Sequence, residues 1–275
     1  MQKDVHFYLT YALARKVGID ADLAAKLAWA DQFTDELVKA EAHGIQTQSA
    51  VMGNWADPEI QRCVLVPFHF IPGGQVEYPW AVTANSHRAI RMLNGAITDA
   101  FGFGIALHTF QDTFSHQGWT GWNENFNACF QWYYLQSGIP NIGHAEMAAV
   151  PDIASAVWTD PRTGKQINNK MRATICAELT CLHLSRFLAA SQNRPTFTIE
   201  NQQRWNLIAI EFKEAFEIEA YDKRKEVMIE LSGEQVRYKD IDSKLQPRHK
   251  QDFIRAAGRH LALAMDLIKD LPGPE

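Results

Sequence analysis

Between Gly104 and Gly121 the chain reads GIALHTFQDTFSHQGWTG, and His108, Asp112 and His116, all able to hold a metal ion, recur there at every fourth residue. An α-helix turns about 100° per residue, so the three fall within an arc of about 80° on one face. Rising about 1.5 Å per residue, the helix sets His108 and His116 about 12 Å apart along its axis. Two histidines at that separation cannot share an ion whose bonds to nitrogen are about 2 Å long. The spacing therefore predicts two or more ions, with Asp112 between them giving one oxygen to each. Ile105, Leu107, Phe110 and Phe114 supply apolar surface that turns the ligand face toward an interior cleft. Gly118 and Gly121 supply the stop. A lone histidine here would read as a hydrogen-bonded core residue, but several ionisable groups on one buried face call for a compensating charge.

Other elements must bring the remaining ligands to this helix. Residues 4–17 carry apolar side chains at helical spacing and end at Gly18, with Asp4 and His6 at the start. Asp20 is an N-cap for a second helix running toward Ala42, on which Asp31 and Asp35 lie one turn apart. Residues 44–80 are rich in Gly and Pro and read as one long loop, delivering His69 between Phe68 and Phe70. Residues 81–100 read as a helix with His87 near its start. Trp119, Trp122, Phe126, Phe130, Trp132, Tyr133 and Tyr134 follow, as core or as a flat platform beside the metals. The stretch GIPNIGHAEMAAVPD then contributes His144 and Asp152, with Glu146 and His87 in reserve. Residues 153–168 read as a loop and 170–190 as a helix holding His183 among leucines. Two long amphipathic helices, 199–231 and 247–270, complete the chain as scaffold, lid or oligomer contact.

Composition narrows the class. With 275 residues, 46% of them hydrophobic, the chain can bury a sizeable core. It is expected to form a single all-helical metal-binding domain over 1–275, with a metal-site core in 1–195 and a helical extension, 196–275, packed on it. A net charge of −5 offers no footprint for duplex nucleic acid. No apolar run is long enough to span a membrane, and MQKDVHFYLTYALA lacks the basic region of a signal peptide. Four cysteines without a CxxC pair suit a reducing compartment, so cytoplasm is the expected location.

The candidate ligands are thus Asp4, His6, Asp31, Asp35, His69, His108, Asp112, His116, His144 and Asp152. Imidazole and carboxylate without thiolate suit zinc, two or three ions, with manganese or iron as substitutes. Such a cluster favours catalysis over structure, because several ions can grip phosphate oxygens and lower the pKa of a bound water. The order Asp4-x-His6, Trp29-Ala-Asp31, His69-Phe-Ile71, His108-x3-Asp112-x3-His116, then Gly143-His144 with a later acid resembles the zinc-dependent phospholipase C and fungal single-strand nuclease superfamily. The resemblance covers about residues 4–152 in sparse motifs and is strongest to a bacterial branch.

The resemblance implies an all-α, multi-helix fold holding three zinc ions and hydrolysing a phosphodiester or phosphomonoester, on a small phosphorylated substrate or lipid headgroup. Carried over by position, His69, His108 and Asp112 with Asp31 or Asp35 hold one zinc, and His116 and His144 with an acid hold another. His6 and Asp112 hold the third. The acid of Asp31 and Asp35 that is not a tight ligand orients the attacking water. Secreted members of the superfamily ligate zinc through an N-terminal tryptophan; this chain has Met1, so the Asp4 carboxylate is expected to substitute. The family's acid four residues after its last histidine is absent, leaving Glu146 or, preferentially, Asp152. A different helical class of metal phosphohydrolase needs a His-Asp dipeptide, and none occurs. The alternative is a non-catalytic metal-binding or interaction protein with a closed cluster.

Overall fold

The computed structural model describes residues 1–38, 44–49, 57–130, 139–194, 198–245 and 247–274, with only the backbone of 198–201. The architecture is all-α, with one two-stranded antiparallel ribbon, β1 (Val157–Thr159) paired to β2 (Gln166–Asn168), where the sequence predicts only loop. At its centre lies the helix Ala100–Ser115, buried from Phe101 to Ser115. Against it pack α2 (Ala21–Phe33), a helix His87–Gly95, the long helix Asn169–Ser191 and the C-terminal helix Pro247–Ile268. One hydrophobic core runs through the chain: Leu9, Trp29 and Phe110 share it with Trp205, Phe212, Met228 and Phe253 from the segment after residue 196. No helix among the described residues is long and apolar enough to cross a membrane.

The first helix opens as a π-helical stretch, Asp4–Leu9, and continues as α1 (Thr10–Val17) until Gly18 takes up a left-handed φ of 96°. Asp20 caps α2 by accepting the Leu23 N–H at 3.0 Å. That helix stops at Phe33, short of the expected Ala42. The Thr34 hydroxyl bonds back to the Ala30 carbonyl at 2.9 Å, and the Leu37 carbonyl accepts the N–H groups of Thr47 and Gln48 at 3.2 and 3.1 Å. Asp35 consequently lies in the turn beyond the helix and not one turn along it from Asp31. The expected loop at 44–80 also contains structure: a short helix Pro58–Ile60, capped by Asp57, runs into a second π-helical stretch, Gln61–His69. Pro67 lies within that stretch, where it donates no backbone hydrogen bond. π geometry is rare and concentrates at functional sites, and each of these two stretches delivers a candidate histidine.

The helix expected over 199–231 is broken into Thr198–Glu217 and Tyr221–Ser232. The break is made by Arg224, whose guanidinium donates to the carbonyls of Ile218 and Glu219 at 2.6 and 3.3 Å. A short helix, Tyr238–Lys244, occupies part of what reads as a polar connection. Its neighbourhood braces the Asp35 turn: the Tyr238 hydroxyl donates to Glu36 at 2.8 Å, and the Trp29 indole donates to Asp242 at 3.0 Å.

Close approach of the central helix to α2 depends on Gly104. A Cβ there would meet the Leu27 carbonyl oxygen at 2.5 Å, the Ala30 Cβ at 2.7 Å and the Asp31 nitrogen at 3.1 Å. Because the obstacles are mostly backbone, Gly104→Ala must push the two helices apart. Overpacking of this kind costs about 1–3 kcal/mol, and urea unfolding should show it as a lower midpoint with an unchanged slope.

Candidate metal centre

The central helix presents His108 and Asp112 one turn apart, and His116 is the residue that caps its C-terminus. His6 comes from the first π-helical stretch and His69 is the last residue of the second. Asp31 stands in the last turns of α2, while His144 and Asp152 come from the irregular segment before β1. These side chains fall into three groups whose ligand atoms lie within 4.8 Å of one another: His6, Asp31 and His108; Asp35, His69 and His108; His116, His144 and Asp152.

Hydrogen bonds to backbone carbonyls fix how three of the rings face. His69 donates from Nε2 to the Thr47 carbonyl at 2.7 Å, His116 from Nδ1 to the His69 carbonyl at 2.7 Å, and His144 from Nδ1 to the Ala148 carbonyl at 2.8 Å. A carbonyl can only accept, so the opposite nitrogen of each neutral ring carries a lone pair, the arrangement seen behind metal-bound histidines. The His69 Nδ1 lone pair lies 3.1 Å from His108 Nε2 and 3.2 Å from Asp112 Oδ2. His108 Nε2 is also 3.2 Å from Asp112 Oδ2, and Asp35 Oδ1 stands 3.6 Å from His108 and 3.8 Å from His69. In the third group, Asp152 Oδ1 is 3.1 Å from His116 Nε2 and Oδ2 is 3.3 Å from His144 Nε2.

Asp112 divides its oxygens. Oδ2 faces His69 and His108, whereas Oδ1 faces His6 Nε2 at 3.2 Å and accepts a hydrogen bond from the Met1 amino group. That amino group also donates to Ser115 Oγ at 3.2 Å and lies 3.2 Å from Asp152 Oδ1. Asp4 does not take the part the sequence reading assigns it. Its carboxylate is turned away to an ion pair with the buried guanidinium of Arg224, and it is the Met1 amino group that meets Asp112. The reserve candidates lie elsewhere: His87 is exposed, and Glu146 accepts the backbone N–H groups of Cys129 and Phe130 at 2.6 and 3.2 Å. Unforeseen neighbours are Thr10, Thr47, Gln111, Ser115 and Met1. For Gln111 a signal was available, since it is a polar residue in a helix buried on every side.

A cleft of about 300 Å³ opens onto this cluster. Asp35, His69, Asp112, His116, His144 and Asp152 line it, with Leu65, Phe70, Ile142, Ala145 and Ala148 as apolar walls. His6, Asp31 and His108 lie beneath, with no exposed surface. The aromatic lining is Phe70, stacked on His116 with ring centroids 4.4 Å apart; of the two readings of the later aromatics, core and platform, Trp119 takes the first. Trp119 is buried under the Arg162 guanidinium, and Trp132, Tyr133 and Tyr134 lie outside the described residues.

The electrostatics call for positive charge. Burial alone would lower the pKa of His108, but Asp35 and Asp112 overcome it and raise the ring to about 10. Burial likewise works against the Met1 ammonium, yet Asp112, Asp152 and Asp35 raise it to about 11. Asp112 and Asp152 are held well below the usual carboxylate range: burial opposes this, and the Met1 ammonium and neighbouring histidines outweigh it. His144, where burial dominates, is lowered. The donors fit a zinc-type ion. Ligand atoms around a tetrahedral ion with bonds of about 2.0–2.1 Å lie about 3.3 Å apart, close to the separations among His69, His108 and Asp112. Among the described residues, His6 Nε2 and His108 Nδ1 are buried without a hydrogen-bond partner.

Fold and donor set together define an all-helical protein with a histidine and aspartate centre at the foot of an open cleft. Over residues 1–265 the chain matches the family described as "Family of unknown function (DUF6765)", and it belongs to that family. No curated protein and no solved structure matches it.

A pH dependence follows for the metal-free protein. With His108 raised to about 10, its ring is protonated at neutral pH, and a metal ligand must be neutral. Zinc uptake should therefore expel protons at pH 7, and apparent affinity should rise with pH toward about 10. Calorimetric titrations in buffers of different ionisation enthalpy measure the expelled protons; uptake with no proton release at pH 7 contradicts the assignment.

Proposed function

We propose that the chain is a metal-dependent phosphoesterase, with zinc as the favoured ion, acting on a small phosphorylated substrate or lipid headgroup. The observation that carries this reading is the Asp112 carboxylate, whose two oxygens face different histidines at 3.2 Å on the floor of an open cleft. His69, His108, Asp112 and Asp35 would hold one ion, His116, His144 and Asp152 a second, and His6 with the other oxygen of Asp112 a third. When bound, such ions supply Lewis acidity for a phosphoryl oxygen and a water acidic enough to attack at neutral pH. Asp35 lies at the cleft with Oδ1 toward His69 and His108; holding the ion loosely through that one oxygen, it would leave the other to orient a water and accept its proton. The apolar walls suit the organic part of a small ester and keep bulk water from the floor.

The reading is tested by metal analysis of the purified protein together with hydrolysis of bis- and mono-nitrophenyl phosphates before and after chelation. Two or three equivalents of zinc with chelator-sensitive turnover support it. Zinc without turnover of either ester would favour the closed binder, and no zinc uptake would make the cluster a polar core.

A further inference from the structure

Asp31 is the acid of the cluster that faces away from the cleft. It has no exposed surface and its carboxylate is already engaged: Oδ2 accepts from the Thr10 hydroxyl at 2.8 Å, and Oδ1 faces His6 Nδ1 at 3.0 Å. His108 Nδ1, which has no hydrogen-bond partner, faces the same Oδ1 at 3.5 Å. Two stacked rings, with centroids 4.0 Å apart and planes 27° from parallel, thus lie between two carboxylates. Asp31 is behind them at their Nδ1 atoms. Asp112 is in front, with Oδ1 3.2 Å from His6 Nε2 and Oδ2 3.2 Å from His108 Nε2.

The direction of the hydrogen bonds settles which nitrogen is free. Gln111 Nε2 donates to Thr10 Oγ1 at 2.8 Å, and Gln111 Oε1 lies 2.9 Å from His6 Nδ1. Turning the amide round would leave the single Thr10 proton between two acceptors, Gln111 Oε1 and Asp31 Oδ2. Asp31 Oδ1, 3.0 Å from His6 Nδ1, can only accept, so Nδ1 carries a proton that also faces the amide oxygen, and the lone pair of the neutral ring is at Nε2. An ion held by Asp31 with His6 and His108 would need the Nδ1 lone pairs of both rings and would displace the His6 proton that faces Asp31 Oδ1 and Gln111 Oε1.

We infer that Asp31 is a positioning residue and not a metal ligand: with Thr10 and Gln111 it fixes His6 and His108 as a pair, so that their Nε2 atoms meet the two oxygens of Asp112. The inference rests on the metal reading of the centre. It assigns the role of Asp31 and divides it from Asp35, which lines the cleft. It also makes the ions on either side of Asp112 depend on one carboxylate that touches neither.

The test uses zinc-loaded wild-type protein labelled with ¹⁵N at histidine, in which long-range ¹H–¹⁵N correlations identify the metal-bearing ring nitrogen. Zinc at Nε2 of both His6 and His108 is expected; zinc at Nδ1 of either overturns the inference while leaving the metal reading intact. Protein that takes up no zinc at all overturns both. In competition titrations, Asp31→Asn should keep the wild-type number of zinc ions and bind them about 10–100-fold more weakly, the usual effect of losing a partner behind a metal-bound histidine. Asp35→Asn, by contrast, should release one ion from its weakened shell. An Asp31→Asn protein that loses a whole equivalent, or one with unchanged affinity, would also overturn the assignment, with circular dichroism verifying that the variant is folded.

Discussion

Asp112→Asn is expected to lower zinc content at two positions at once and to reduce phosphodiester turnover by about two to three orders of magnitude, the size found when one pre-organised electrostatic contact is removed. The expectation follows from the division of its oxygens. Oδ1 is shared by His6 Nε2 and the Met1 ammonium, and Oδ2 by His69 and His108. Asparagine keeps the shape but has one oxygen, so its NH₂ must face one of these two sets. Toward Met1 it would oppose an ammonium; toward His69 and His108 it would occupy the place of a metal-bound oxygen. Either orientation withdraws an anionic ligand from both positions. His108→Ala is the control, because His108 Nε2 belongs to one side of the carboxylate and should cost one equivalent of zinc. Elemental analysis of the purified variants, beside hydrolysis of bis-nitrophenyl phosphate, measures both; full metal content in Asp112→Asn would sink the bridging role.

What could be read in the chain, and what could not, divides along physical lines. The central helix is legible because a four-residue repeat is a local property, and His108 and Asp112 lie on it as their spacing requires. His116 follows in space although it has already left the helix, since a capping residue keeps nearly the same bearing. His69 was recognisable as a candidate, but its support was not: Pro67 and the flanking glycines read as loop, and a π-helical stretch of 9 residues spans too few turns for its period to register. Asp31 and Asp35 look equivalent in sequence. Only the helix end at Phe33 separates them, and that end depends on Thr34 and on distant residues 47 and 48. The all-α class was legible throughout, and the short ribbon was missed because strands of this length carry too few residues for alternation to register.

The assignment of Asp4 to Arg224 leads to the largest expected effect on stability. Both side chains are fully buried, and Arg224 also holds Ser155 Oγ at 3.1 Å and the Ile218 carbonyl at 2.6 Å. Arg224→Ala leaves the Asp4 carboxylate without a counter-charge in the core, and breaking a buried pair from one side costs about 3–5 kcal/mol. That is a large part of the about 5–15 kcal/mol by which a folded domain is usually stable, and urea denaturation should reveal it directly. A loss below about 1 kcal/mol would mean that water reaches Asp4. The paired replacement Asp4→Leu with Arg224→Met removes both charges together, and such exchanges are often neutral or stabilising by about 1–4 kcal/mol. The double variant also separates the two possible roles of Asp4. As a counter-ion, its loss together with Arg224 leaves His6 and Asp112 in place and the zinc content whole. As a ligand, its loss would remove an equivalent of zinc from a protein that remains folded.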